Sequence, residues 1–227
     1  MRAHDHHGSH WHCDKKVDAL TKHKQQAEQL LIVLDVGGVI LTDAMRLMLR
    51  EIANATGRSE DDVQNVYRST GLRDQLWMGK ITTAEFWGSL GAALGSRLGS
   101  ASILDQRMIA LCRPLVAPQS LAAHPAPIAL LSNHRHEWLL PSLEAHGFGS
   151  IEAEVFCSSQ MGVVKPQVAA YRLVQRAASG RQVLFVDDQE HNLAPARTLG
   201  WRTLRADGPE WIDAAWITAN SLLQKPA

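Results

Sequence analysis

Four or five consecutive apolar residues recur three times along the chain, and each run stops at polar residues. The runs span 30–34, 128–131 and 183–186. Uninterrupted apolar runs of this length, several with β-branched residues, are typical of strands buried on both faces of a parallel sheet. The pattern therefore predicts an α/β fold with a doubly wound parallel sheet, in which strand 30–34 is central between the other two.

Between the first two runs, the apolar spacing becomes that of helices. Residues 44–55 carry their apolar side chains on one stripe, as an amphipathic helix does. Ser59 and Thr82 are each followed three residues later by an acidic residue, which is the sequence of a helix start. A further amphipathic stretch covers 101–111. We therefore predict four short helices within 43–113, inserted into a core made of 30–42 and 114–227.

The charged residues balance at 23 basic and 23 acidic. Without a basic surplus, the sequence gives no reason to expect a nucleic acid or a membrane surface as a partner. No apolar stretch approaches the roughly 18 residues of a membrane span, and the N-terminus lacks the apolar centre of a secretion signal. We expect a cytoplasmic protein, monomeric or homodimeric, without nucleic-acid or membrane partners.

The first 29 residues differ from the rest, being polar and rich in histidine. We interpret 1–29 as a disordered or artificially added tail, with metal capture by its imidazoles as the alternative. Cys13, Cys112 and Cys157 are too few and too widely spaced for a disulfide framework or a metal knuckle. We expect Cys112 and Cys157 to behave as small buried hydrophobic residues.

Polar residues that directly follow the strands are the candidates for chemistry, because ligands of open α/β sheets bind beyond the carboxyl ends of strands. Asp35 follows the first strand, and Gly37-Gly38 permits a sharp turn there. Taken singly, Asp35 is compatible with a nucleophile, a metal ligand or a helix cap. Ser132 alone would be interpreted as a helix cap. Lys165 precedes a helix that Pro166 can start, and alone it would be interpreted as an ordinary surface lysine.

The order of these residues resembles the four motifs of the haloacid dehalogenase-like (HAD) hydrolases. Those motifs are a nucleophilic Asp, a Ser or Thr, a Lys and an acidic pair, matched here by Asp35, Ser132, Lys165 and Asp187-Asp188. The segment 187–200 resembles the fourth motif of the branch containing the N-terminal phosphatase domain of soluble epoxide hydrolases and related sugar-phosphate phosphatases. The resemblance covers about 30–207 and implies a Rossmann-like core with a helical cap over 43–113.

This resemblance implies a magnesium-dependent phosphatase that hydrolyses small phosphorylated metabolites through an aspartyl-phosphate. Asp35 would attack phosphorus, Lys165 would hold Asp35 beside a phosphate oxygen, and Ser132 would donate to the transferring group. The phosphate would also be bound by the amides of Val36, Gly37 and Asn133. The implied Mg²⁺ ligands are Asp35, the Gly37 carbonyl and Asp188, with Asp187 nearby or acting through water. Asn192 would brace the loop of the fourth motif.

Gly37 departs from the common phosphatase pattern, which has a second Asp two residues after the nucleophile to protonate the leaving group. Glycine cannot do this, although it recurs in the branch that the chain resembles. Asp43 or a cap residue is a possible substitute. Two alternatives stay open: a binding or regulatory HAD domain without activity, and a C–halogen hydrolase. The acidic pair Asp187-Asp188 argues against the second, because dehalogenases of this superfamily lack it.

The sequence leaves the substrate open. Arg68, Arg73, Trp77 and Lys80 of the predicted cap are candidates for gripping an anionic or sugar ligand, with ordinary helix surface and packing as the alternative. The run 134–136 (His-Arg-His) is interpreted as a solvated helix start with no part in catalysis.

Overall fold

In the computed structural model, residues 25–208 and 210–224 are described, and they are organised around a five-stranded sheet. The strands are β1 (Leu30–Leu34), β2 (Ile128–Ser132), β3 (Ala153–Cys157), β4 (Gln182–Asp187) and β5 (Arg202–Arg205). Their order is β3-β2-β1-β4-β5, and every neighbouring pair is parallel. The predicted sheet is therefore confirmed, with β1 at its centre. Most of the predicted tail, 1–24, lies outside the described residues.

Helices cover both faces of this sheet and fill the connection from β1 to β2. Residues 43–113 of that connection, which we call the helical insertion, hold α1 (Ala44–Thr56), α2 (Glu60–Ser69), α3 (Leu72–Trp77), α4 (Thr83–Ala93) and α5 (Ala101–Leu111). The helices of the remaining chain are α6 (Pro118–Ala122), α7 (His136–Ala145), α8 (Ser158–Met161), α9 (Val168–Ala178), α10 (Glu190–Thr198) and α11 (Trp211–Leu223), with a 3₁₀ turn at Phe148–Ser150.

The central strand buries alternate residues on the two faces of the sheet. Leu30, Ile32 and Leu34 belong to one apolar cluster, and Leu31 and Val33 belong to the other. Successive side chains of a strand point to opposite faces, so a sheet covered on both sides requires an unbroken apolar run. The first cluster also contains apolar residues of the helical insertion, and the division into core and cap at 43–113 stays a prediction.

The predicted helix starts at Ser59 and Thr82 both occur. The Ser59 hydroxyl accepts a hydrogen bond from the Asp62 amide at 3.1 Å. Thr82 and Glu85 form the reciprocal capping box. The insertion contains one helix that the pattern did not predict, α3, which follows Gly71 and has no side-chain cap. The predicted start at Pro166 is wrong by two residues, because α9 begins at Val168 after the N-cap Gln167.

The two segments that connect the insertion to the core are bonded to each other through Thr42. Its hydroxyl donates to the Leu111 carbonyl at 2.6 Å and accepts from the Arg113 amide at 2.9 Å. The Thr42 amide donates to the Arg113 carbonyl, also at 2.9 Å. The insertion therefore leaves and rejoins the core through one hydrogen-bonded neck.

Cys112 and Cys157 are buried free cysteines, as predicted. No helix in the described part of the chain combines the length and the apolar character that crossing a bilayer requires.

Candidate active site

The four residues that were expected to converge in one cleft line a cavity of about 720 Å³ at the carboxyl edge of the sheet, and the predicted site residues Gly37, Asn133 and Asn192 line it too. The four converging residues are Asp35, Ser132, Lys165 and Asp188. Asp35 follows β1, Ser132 ends β2 and Asp188 follows β4. Because these three strands are parallel neighbours, their carboxyl ends meet at the same edge and bring distant parts of the sequence together. The predicted convergence in one cleft is thus seen in the structure.

Lys165 is the cation at the centre of this group. Its Nζ lies 2.9 Å from Asp35 Oδ1 and 2.7 Å from Asp187 Oδ2, and the side chains of all three residues are almost completely buried. Burial lowers the pKa of Lys165, but the carboxylates of Asp35 and Asp187 outweigh that effect and raise it overall. Lys165 therefore stays charged, which a buried lysine does only beside such partners.

The two members of the acidic pair have different surroundings. Asp187 is fully buried and accepts hydrogen bonds from Lys165, from the Gln189 amide at 2.9 Å and from Asn192 Nδ2 at 3.0 Å. Asp188 lines the cavity, and its Oδ1 has no hydrogen-bond partner among the described residues. Asp187 therefore braces the site, together with Asn192, whereas Asp188 has an oxygen available for a ligand.

The carboxylates of Asp35, Asp187 and Asp188 fit a divalent cation. One oxygen from each lies within 4.8 Å of the others. Burial raises the pKa of Asp35 to about 8, although the Lys165 ammonium lowers it. Burial, followed by the Asp187 charge, also raises the pKa of Asp188. These carboxyl groups supply the oxygen ligands that Mg²⁺ prefers, and the charge of a bound cation would favour their ionised forms. The unpartnered Asp188 Oδ1 points to the same conclusion.

The two glycines after Asp35 have different structural requirements. Gly38 has a φ of +86°, and a Cβ at this position would lie 2.6 Å from Asp188 Oδ2. Only glycine permits this close approach of the β1 loop to the acidic pair. A Cβ at Gly37 would meet no atom of the described residues within 4 Å. Gly37 is therefore not required by packing, and its position has room for a side chain.

Asn133 and Val36, whose backbone amides were predicted to bind phosphate, make further contacts within the site. The Asn133 side chain holds the Lys165 backbone through a reciprocal pair, donating to its carbonyl and accepting from its amide at 2.8 Å each. The Val36 amide donates to Asp35 Oδ1 at 2.6 Å. Val36 thus orients the Asp35 carboxylate, and Asn133 positions the loop that presents Lys165.

The run 134–136 does start a helix, since α7 begins at His136 after the N-cap Arg135, but the prediction that this start is solvated is wrong. His134 and Arg135 are buried, and burial lowers the pKa of the His134 imidazole. Arg135 Nη1 donates to the Ile81 carbonyl at 2.9 Å and to the Leu76 carbonyl at 3.3 Å. The same guanidinium pairs with Glu137, so its buried charge is compensated. A basic residue beside the Ser132 loop therefore fastens the helical insertion to the core, which no local pattern revealed.

The wall of the cavity opposite the strand ends belongs to the helical insertion. Of the four cap candidates, Arg68, Arg73 and Trp77 line the cavity, whereas Lys80 does not. The wall also includes Arg46 and Gln64, which the sequence analysis did not single out. Only their positions in the sequence could have indicated this. Arg46 lies one residue after Met45, which belongs to the apolar stripe of its helix, and Gln64 lies four residues before the candidate Arg68.

Comparison with solved structures identifies the fold. A predicted HAD-like family hydrolase from Porphyromonas gingivalis superposes with a TM-score of 0.62 and 27% identity, over 86% of this chain and 98% of that one. The chain has the HAD-like fold. The HAD-family enzyme bt-2542 of Bacteroides thetaiotaomicron also gives a TM-score of 0.62, with 21% identity over 78% of this chain and 93% of that chain. The predicted resemblance to the HAD superfamily is confirmed.

Other comparisons agree on the fold and differ in the chemistry attached to it. L-2-haloacid dehalogenase of Xanthobacter autotrophicus has a TM-score of 0.53 and 20% identity, over 77% of this chain and 76% of that one. A curated relative, bifunctional epoxide hydrolase 2 of Rattus norvegicus, is 26% identical over 75% of this chain, which spans only 35% of that protein. No protein-family model matches the chain. HAD-like neighbours of this kind support a hydrolase.

Proposed function

We propose that the protein is a magnesium-dependent hydrolase of small phosphate monoesters that works through an aspartyl-phosphate. One observation carries the proposal: Lys165 bridges Asp35 and Asp187, while Asp188 lines the same cavity and its buried Oδ1 has no hydrogen-bond partner among the described residues. Phosphoryl transfer depends mainly on positioning and charge neutralisation, and this arrangement supplies both.

Asp35 is the nucleophile in this proposal. The Val36 amide and Lys165 Nζ both bond Asp35 Oδ1, which leaves Oδ2 for attack on phosphorus. Attack forms the aspartyl-phosphate and breaks the bond between phosphorus and the leaving oxygen. Water then attacks the phosphorus of this intermediate, releases inorganic phosphate and regenerates the Asp35 carboxylate. Lys165 neutralises negative charge during both steps, and Ser132 donates to a phosphoryl oxygen.

The groups that would hold a magnesium ion are the carboxylates of Asp35 and Asp188 and the backbone carbonyl of Gly37. When bound, this ion supplies positive charge that offsets the repulsion between the Asp35 carboxylate and the phosphate. Asp187 is already committed to Lys165, Asn192 and the Gln189 amide, so we assign it a bracing role. Asn192 Nδ2 donates to both oxygens of Asp187, and Lys165 donates to one of them, so the two residues fix the Asp187 carboxylate together.

Gly37 leaves the leaving group without the usual proton donor. General acid catalysis contributes about 10²–10⁴-fold, so substrates that leave as weak bases should react faster than alkyl phosphates. Asp43 lines the same cavity, and one of its oxygens accepts from the Arg46 amide at the start of α1. Its position makes it the first residue to test as a substitute donor.

A solved structure of the same fold supports the magnesium and the phosphate in this proposal. The Bacteroides thetaiotaomicron neighbour was also solved in complex with magnesium and inorganic phosphate, at 20% identity and a TM-score of 0.60. The same fold therefore accommodates both groups in that protein. The whole rat relative is nearly three times as long as the matched region, and its further activities are not carried over.

C–halogen hydrolysis is the second candidate, favoured by Gly37 and by the fold shared with the Xanthobacter autotrophicus dehalogenase. It needs no metal, so it gives no reason for the oxygen of Asp188 that lacks a partner in the described chain.

Turnover of 4-nitrophenyl phosphate and of L-2-chloropropionate, each with magnesium and with a chelator, separates these candidates. We expect phosphate release that the chelator abolishes and added magnesium restores, with no chloride release. Chloride release in the presence of the chelator would establish the dehalogenase instead. A protein that binds magnesium by calorimetry but releases neither product would support a binding domain.

A further inference from the structure

The cavity is much larger than a phosphate group needs. Its volume of about 720 Å³ lies in the range of sites that hold whole small-molecule ligands. The strand ends form the wall beside Asp35, and α1, α2 and α3 of the helical insertion contribute the opposite wall. Whatever remains of a substrate beyond its phosphate must therefore lie against the insertion.

Two arginines on this opposite wall are not neutralised. The helices α1 and α2 are joined by the loop 57–59 and cross-linked by an ion pair of 2.9 Å between Arg50 and Glu60. One turn closer to the cavity, Arg46 occupies α1 and the neutral Gln64 occupies α2. Gln64 carries no charge, so it does not neutralise Arg46 as Glu60 neutralises Arg50.

Arg68 follows Gln64 by four residues, and this places it on the same face of α2, where it also lines the cavity. Within the described chain, Arg46 and Arg68 have no acidic partner within 4.0 Å. Two acidic residues also line the cavity here: Asp74 pairs with Arg73 at 2.9 Å, and one oxygen of Asp43 accepts from the Arg46 amide at 3.1 Å.

Two aromatic residues also line the wall near Arg68. Tyr67 and Trp77 are buried, and Trp77 Nε1 donates to the Tyr67 hydroxyl at 2.7 Å. This bond satisfies the indole donor and leaves an apolar surface between the strand ends and the arginines. Guanidinium groups bind carboxylates and phosphates with two parallel hydrogen bonds, which a neutral hydroxyl does not match.

We infer that Arg46 and Arg68 bind a second anionic group of the substrate. The preferred substrates are then phosphate monoesters whose leaving group carries a carboxylate or another phosphate. This inference rests on the proposed phosphatase function and adds the substrate class.

Three substrates with one carbon skeleton test the inference. Glycerol 1-phosphate has a neutral far end, 3-phosphoglycerate has a carboxylate there, and glycerol 1,3-bisphosphate has a second phosphate. We expect kcat/KM to be at least about ten-fold higher for one of the charged substrates than for glycerol 1-phosphate, the size of a charge-assisted hydrogen bond. The better of the two charged substrates identifies the anion.

Variants of single arginines show which residues cause the preference for charged substrates. Arg46→Gln and Arg68→Gln should each lower the ratio of kcat/KM between the charged substrate and glycerol 1-phosphate by about ten-fold. Arg50→Gln is the matched control, because this arginine lies one turn away on α1, pairs with Glu60 and does not line the cavity. Its ratio should equal that of the wild type.

Binding to the Asp35→Asn variant in the presence of magnesium, measured by calorimetry, keeps this test separate from the proposed reaction. Tighter binding of the charged ligands without turnover by the wild type would retain the anion subsite and reject the phosphatase. Turnover with equal kcat/KM for the three substrates would reject the subsite and retain the phosphatase. Equal binding of all three ligands, or a loss of preference in Arg50→Gln as large as in Arg46→Gln, would also overturn the inference.

Discussion

The two walls of the cleft are built in opposite ways. On the strand-end wall, Asp35, Lys165 and Asp187 are at most 5% exposed and hold one another through ion pairs. On the insertion wall, Arg46 and Arg68 are exposed and have no acidic partner in the described residues. A fixed, buried group of charges stabilises a transition state with little rearrangement, whereas exposed guanidinium groups remain available to a ligand. Chemistry and substrate choice should therefore respond to different mutations.

Asp35→Asn should have the largest effect, and on chemistry alone. A carboxamide of nearly the same shape is a poor nucleophile, so kcat for 4-nitrophenyl phosphate should fall at least about a thousand-fold. Circular dichroism and the melting temperature should show an intact fold, because a carboxamide oxygen can still accept hydrogen bonds from the Val36 amide and Lys165. Retention of a tenth of the wild-type kcat would mean that another group attacks phosphorus.

Substitutions of the adjacent residues Asp187 and Asp188 should affect different properties, the first the stability of the fold and the second the binding of magnesium. Asp187→Ala leaves Lys165 with only one buried partner and should cost about 3–5 kcal/mol in the free energy of unfolding, measured in urea. Asp188→Ala should change stability by less than about 1 kcal/mol, since its Oδ1 has no partner in the described chain. It should instead raise the magnesium concentration for half-maximal activity by at least about ten-fold. Equal metal titrations for wild type and Asp188→Ala would remove Asp188 from the ligands.

Substitutions of the two adjacent glycines should have opposite outcomes. Gly37→Asp has room for its side chain, and a new acid there should raise turnover of glycerol 1-phosphate about ten-fold more than turnover of 4-nitrophenyl phosphate. Gly38→Ala, the control, places a Cβ against Asp188 and should weaken magnesium binding. If the wild type already hydrolyses both substrates equally fast, the proton comes from another donor such as Asp43.

Arg135→Gln should give the smallest of these effects. It should weaken the attachment of the insertion to the core and leave the catalytic groups in place. Loss of the bonds to the Leu76 and Ile81 carbonyls should reduce stability by about 1–2 kcal/mol and raise KM about five-fold more than it changes kcat. Glu137→Gln alters the exposed partner of Arg135 and should change the free energy of unfolding by less than about 1 kcal/mol. A fall in kcat with unchanged KM would assign Arg135 to the reaction itself.

Residues on the strand-end wall were accessible to sequence analysis because local pattern determines them. An apolar run such as 30–34 has few alternatives to a buried strand, and an acidic residue that follows it must lie at the carboxyl edge. The order of Asp35, Ser132, Lys165 and Asp187-Asp188 then indicated one shared site. Even here, the contact of Gly38 with Asp188 was not predictable, because it joins two loops 150 residues apart.

The insertion wall was less accessible because its contacts are tertiary. The helix α3 has only six residues and no side-chain cap, so neither period nor cap indicated it. Arg135 lies beside His134 and His136, a polar run typical of a solvated surface, and only the approach of the Leu76 and Ile81 carbonyls explains its burial. Arg46 looked like the polar side of an amphipathic helix until the cavity showed what it faces.

The neck at Thr42 and the hydrogen bonds from Arg135 to the Leu76 and Ile81 carbonyls hold the insertion to the core at two separate places. At a third place, a Cβ at Gly79 would collide with the Ser159 carbonyl, so this turn of the insertion rests directly on core backbone. Movement of the insertion away from the core would have to break all three contacts. We therefore expect ligands to enter through the mouth of the cavity without such movement, so that the size of the mouth limits which ligands reach Asp35.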